Sequence, residues 1–144
     1  MKSLLLLLCF SVLLSCQQEN LPVEIAPSSI FVIVEDNPAF PGCENISIKA
    51  EKQACSVEKL NAFIYENLKY PLAAKLAGIE GTVTLKFIVN TDGSISNEEI
   101  IRDIGYDCGE EALRIVRLMP PWIPGLQRGE PVRVQKNIQV FFQL

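Results

Sequence analysis

From Ser56 onward the apolar residues of this chain fall into two alternating rhythms. Val57, Leu60, Phe63, Ile64 and Leu68 recur at intervals of three and four, which draws one apolar stripe along a helix. Ser56 stands where a cap is needed, Glu58 falls in the first turn, and Pro71 stops the helix. Pro71 also pushes Tyr70 toward an extended conformation and opens a short second helix over Leu72–Ala77, closed by Gly78. The period then changes to two. Over Thr82–Asn90, Val83, Leu85, Phe87 and Val89 share one face, while Thr84, Lys86 and Asn90 share the other. Asn90-Thr91-Asp92-Gly93 is a turn signal, so a second strand from Ser94 to Arg102 completes a hairpin. Asp107 and Glu110, three apart, read as a capping box for a helix that turns Ala112, Leu113, Val116 and Met119 inward and stops at Pro120-Pro121. Trp122–Pro131 reads as a loop. Val132–Leu144 is a long final strand with Val132, Val134, Ile138, Val140, Phe142 and Leu144 on one face and Arg133, Gln135, Asn137, Gln139 and Gln143 on the other. Lys136 interrupts the apolar row, as at a bulge or a frayed end.

The order helix, short helix, strand, strand, helix, strand predicts an α+β, two-layer fold, with the helices packed on one face of a three-stranded antiparallel sheet (αββαβ). Upstream, the run Ile30–Val34 predicts an extra N-terminal strand, followed by breakers at Asn37-Pro38 and Phe40-Pro41-Gly42 and a polar stretch, 44–55, with no clear period. The expected organisation is a signal segment over 1–15, a tether over 16–29, an extension over 30–55 and the folded domain over 56–144.

The first residues read as targeting rather than structure. Lys2 is followed by an apolar run, Leu4–Leu14, which as a helix would span about 16 Å against a hydrocarbon core of about 30 Å. It ends in Leu13-Leu14-Ser15-Cys16, which resembles the lipobox of bacterial lipoproteins, with Cys16 the lipidated residue. An ordinary secretory signal with an incidental cysteine is the competing reading. Gln17 follows, and the absence of aspartate there favours the outer membrane as destination. The expected location is therefore the cell envelope, lipid-anchored at the outer membrane and facing the periplasm.

Removing residues 1–15 from the 144 leaves 129, and takes away one charge, Lys2. The remaining 12 basic and 17 acidic residues contain no basic block, which argues against nucleic acid as a partner. The sequence has no histidine, which removes the commonest metal ligand and the commonest general base; no metal, cofactor or catalytic residue is expected. Cys43, Cys55 and Cys108 remain in a compartment that permits disulfides. Cys43 with Cys55 closes a short loop and is the favoured pair; buried, reduced cysteines are the alternative. Cys108 at a helix N-terminus could act as a thiolate, but nothing beside it supplies a base.

Residues from about Leu60 to Leu144 resemble the TonB C-terminal domain family. The resemblance rests on Tyr70-Pro71, Ala74, Gly78-Ile79-x-Gly81-x-Val83, Asp92-Gly93, Glu111-Ala112-Leu113, Met119-Pro120-x-Trp122-x-Pro124-Gly125 and Gly129, in that order and spacing. It implies an αββαβ fold and a non-enzymatic role in transport across the outer membrane. In the family the domain grips a short peptide of an outer-membrane transporter by strand pairing. A lipoprotein signal here stands in place of the family's membrane helix, and the Pro-rich spacer is missing. The family's glutamine three residues before Tyr-Pro is Asn67 here.

The final strand is the expected partner-binding element, through Val132, Arg133, Val134, Gln135, Asn137, Gln139 and Phe141, with Asn67 and Tyr70 as further contacts. Its thirteen residues outrun the hairpin strands, and overhanging backbone offers unpaired N–H and C=O groups to a partner strand. The alternative is that Ile30–Val34 folds back and covers this edge. The partner classes are an envelope protein such as a TonB-dependent transporter, or a second copy of the chain in a homodimer or scaffold without a transport role. Trp122 reads either as a partner contact or, preferably, as a ring that packs over the helix end.

Overall fold

The computed structural model describes residues 28–144; the signal segment, Cys16 and most of the tether lie outside the described residues. Eight elements follow in order: β1 (Ile30–Phe31), α1 (Lys49–Asn67), α2 (Leu72–Leu76), β2 (Gly81–Val89), β3 (Ile95–Arg102), α3 (Cys108–Leu118), β4 (Gly125–Gln127) and β5 (Glu130–Phe142). β5, β2 and β3 form the expected antiparallel three-stranded sheet, and β1 adds to the far side of β5 in parallel. The apolar face of this sheet meets the helices. Val83, Leu85, Phe87 and Val89 from β2 and Ile138, Val140 and Phe142 from β5 pack against Ile64, Ala74, Cys108, Ala112, Leu113, Ile115 and Val116. The period-two and period-3.6 stripes of the sequence thus meet in one core.

Four local expectations are revised. α1 begins at Lys49, seven residues ahead of Ser56, because the 44–55 stretch holds good helix formers and its terminus is fixed from outside. Cys43 and Cys55 are joined by a disulfide, with Cα atoms 6.1 Å apart, which ties the incoming chain to the helix. Ser56 caps nothing; it is buried mid-helix, and its hydroxyl accepts the Phe40 N–H at 2.6 Å. The capping box at Asp107 does not form either. Asp107 adopts φ 66°, in the left-handed region, and its side chain makes no cap bond. A cap residue normally needs extended backbone to aim its oxygen at the first turn. Leu144, assigned to the inward row, is exposed beyond the end of β5.

The Trp122–Pro131 loop contains β4, which pairs with the start of β5 through a two-residue turn. Arg128 and Gly129 both take positive φ, 53° and 77°, as a type I′ turn demands. Residues 36–40 bridge onto this segment, Asp36 to Leu126 and Ala39 to Ile123. Trp122 is 4 % exposed, its ring set edge-on to Phe40 at 5.6 Å and to Phe87 at 5.5 Å. It therefore packs between the N-terminal segment and the sheet. Its main-chain N–H donates to Gly93 O at the β2–β3 turn, and a Cβ on Gly93 would lie 2.0 Å from Trp122 O.

Candidate functional site

Antiparallel pairing makes successive residues of a strand turn their main-chain groups to opposite sides. Asn90 donates its N–H to Ser94 O, so at this end of β2 the even-numbered residues turn toward β3 and Val89 turns toward β5. Val89 is opposite Val134, and the β2–β5 register runs unbroken from there to Gly81 opposite Phe142. The main-chain groups of Val134, Lys136, Ile138, Val140 and Phe142 are therefore spent on β2. Those of Gln135, Asn137, Gln139 and Phe141 point outward, and β1 reaches only as far as Arg133 and Val134. From Gln135 to Phe142 this side of β5 has no strand partner among the described residues.

The nine residues expected to bind a partner separate into groups. Gln135, Asn137, Gln139 and Phe141 line the open edge; the last three are exposed, Phe141 by 53 %. Val132 and Val134 belong to the buried row. Val132 pairs with Gly125, and Arg133 pairs with Ile30 and donates Nε to Asn90 Oδ1 at 3.0 Å. The overhang of β5 beyond β2 is thus taken up by β4 and β1. The unpaired stretch is the lateral edge further on, and Ile30–Val34 folds back only far enough to cover two residues. Asn67 and Tyr70 have internal partners. Asn67 donates to Phe63 O at 2.8 Å, and its own carbonyl accepts from Arg114 at 2.7 Å. The Tyr70 hydroxyl donates to Ile79 O, its ring sits edge-on to Phe142 at 5.5 Å, and burial, with Glu80 beside it, pushes its pKa up.

A groove of about 500 Å³ runs along the inner side of the open edge, between β5 and α1. Gln53, Val57 and Asn61 line it from the helix, and Lys136, Gln139 and Phe141 from the strand. Lys136 is the residue that broke the apolar row in the sequence. It forms no bulge, since β5 pairs in register through it, opposite Phe87. Burial lowers the pKa of its ammonium group.

Two titratable groups away from this edge are held by their surroundings. Cys108 is fully buried, and burial, with Asp103 and Asp107 nearby, raises its thiol pKa, which opposes thiolate formation. Burial works against ionised Glu111, but Arg114 at 2.7 Å and the Lys69 N–H at 2.6 Å outweigh it and lower its pKa; the cluster joins the end of α1 to α3. Among the described residues no group of Cys, Asp and Glu is placed to hold a metal ion, and no helix is long and apolar enough to cross a membrane.

Two solution structures of the Helicobacter pylori TonB C-terminal domain are similar to this chain. One is 25% identical, covering 61% of this chain and 79% of that one, with a TM-score of 0.48. The other is 24% identical, covering 60% and 91%, with a TM-score of 0.44. The Pseudomonas aeruginosa TonB C-terminal domain is 26% identical over 53% of this chain and 77% of its own, with a TM-score of 0.39. No curated protein matches. The profile of the Gram-negative bacterial TonB protein C-terminal family matches residues 66–144, which hold α2, the whole antiparallel sheet and α3. Because that match takes in more than half of the sequence, the chain belongs to the TonB C-terminal family, whose domains serve energy transduction for transport across the outer membrane.

Proposed function

We propose that this chain is a non-enzymatic, lipid-anchored binding module of the envelope that receives a strand of an outer-membrane transporter, or of another envelope protein, on the open edge of β5. The observation that carries the reading is the edge itself: four outward-facing residues, Gln135, Asn137, Gln139 and Phe141, uncharged and free of bulges, on a strand whose register is locked by its buried face. Main-chain pairing supplies the affinity in such an arrangement and asks little of the side chains. Cys16 is the proposed anchor, and the outer membrane, facing the periplasm, the proposed site.

The test uses purified TonB-dependent transporters of the source bacterium and two variants of the same residue. Gln139→Ala keeps the outward amide and should cost about 0.5 kcal/mol of binding or less, as surface substitutions do. Gln139→Pro removes that amide, which β2 does not use, so the variant should stay folded by circular dichroism and lose at least about tenfold in affinity. A folded proline variant that binds as the parent does would overturn the reading. For the anchor, mass spectrometry of membrane-extracted protein should find a chain that starts at a lipid-modified Cys16; an unmodified N-terminus would reject it.

A further inference from the structure

We propose that the groove beside the open edge is a specificity subsite in which Lys136 takes an aspartate or glutamate side chain of the incoming strand. This rests on the edge-pairing reading above and adds to it a chemical class of partner. Three features point to an acidic group. Lys136 lines the groove, is half-buried, and forms no ion pair and no hydrogen bond with any described residue. No carboxylate lines the groove, so nothing within it neutralises the ammonium. Trp122 lines the same groove, is 4 % exposed, and its indole N–H is a buried donor with no partner. Buried donors are normally satisfied, and a half-buried cation with no counterion in the groove matches an oxygen acceptor that carries negative charge.

The occupant follows from position. Gln139 and Phe141 belong both to the open edge and to the groove lining, so a strand laid along the edge brings alternate side chains over the groove. Lys136 points its side chain to the helix-facing side, the same side as every second residue of that strand. An apolar residue at position 136 would extend the row of Val134 and Ile138 and remove a partly desolvated charge, so the lysine works against local stability. That is the expected pattern at a site kept for binding.

The probes are a capped peptide of about nine residues alternating threonine and valine with a central glutamate, and its glutamine counterpart. Binding is followed by backbone amide shifts at Gln135–Phe141 and by the Lys136 side-chain ammonium signal. The glutamate peptide should bind the wild-type chain at least about tenfold more tightly than the glutamine peptide. Lys136→Met should abolish the preference, and Lys136→Arg should keep it. The methionine variant should melt no lower than wild type, which separates loss of recognition from loss of fold. If both peptides shift the edge amides with equal affinity, or the preference survives in Lys136→Met, the subsite is refuted while the edge reading stands. If neither peptide shifts those amides, the edge reading fails and the subsite with it.

Discussion

β3 and the outer side of β5 are the two lateral limits of one sheet, and they are built differently. β3 pairs with β2 through two register shifts, and Asn97 sits within it at φ 53°. Both its carboxylates are engaged: Glu99 with Lys86 at 2.7 Å and Glu98 with Arg117 at 3.2 Å. Bulges, twist and charge are the usual devices by which an edge strand is kept from pairing with another chain. Past Arg133 the outward row of β5 carries neither a charge nor a bulge; the one further charge of the strand, Lys136, belongs to its helix-facing row. Its pairing with β2 is regular over nine positions, and its outward residues are two glutamines, an asparagine and a phenylalanine. One edge is closed by its own side chains and the other is left available. The contrast shows that the availability of β5 does not come from its being an edge, since β3 is one too; it comes from the absence of obstruction.

What lies beneath each edge differs as well. The β3 side rests on α3, whereas the groove beside β5 is walled by α1, by Pro38 from the N-terminal layer and by Trp122, which packs against that layer. The largest effect is expected at the point where that layer is joined to the sheet. Trp122→Ala should cost about 3–5 kcal/mol, a large part of a domain's usual 5–15 kcal/mol, since it empties the site between Phe40 and Phe87. Denaturant unfolding would register it, and an unchanged midpoint would mean that the layer contributes nothing to the β5 side.

A smaller effect is expected at Ser56→Ala, which strands the buried Phe40 N–H. A cost of about 1–3 kcal/mol is expected, together with faster amide exchange at Ala39 and Phe40 than at Val83 or Val140. Uniform exchange across both regions would show that the layer and the sheet open as one unit. The smallest effect belongs to the guarded edge. Glu99→Gln breaks the exposed pair with Lys86 and should change stability by about 0.2–1 kcal/mol, without altering transporter affinity. If neutralising that single charge made β3 bind a partner, the two edges would be equivalent and the contrast would fail.

Much of the frame was legible because it follows from local pattern. The alternation in β2 and β5, the stripe of α1 from Leu60 to Leu68 (Val57, at its head, is exposed instead) and the stops at Pro71 and Pro120 each depend on residues within one or two turns of each other. The TonB C-terminal motifs, from Tyr70-Pro71 to Gly129, likewise carry the family in the sequence itself. What failed at that level was decided by distant atoms. Ser56 has the profile of a cap, but the Phe40 N–H, sixteen residues upstream, claims its hydroxyl inside a helix already begun. Ile30–Val34 has the composition of a full strand, yet two residues pair, and the chain then turns so that Asp36 meets Leu126.

The site divides in the same way. The sequence determined that the last strand would have one apolar and one polar row, because a period of two assigns faces whatever lies opposite. It could not determine which side of that strand would be left unpaired. Faces are a property of side chains along one segment, but edges are a property of which segments lie beside it, and only the completed sheet decides that. Lys136 is the clearest instance. Along the chain it is a break in the apolar row; in the fold it is a cation with no counterion among the described residues, set in a groove that β5, α1 and Trp122 create only when brought together.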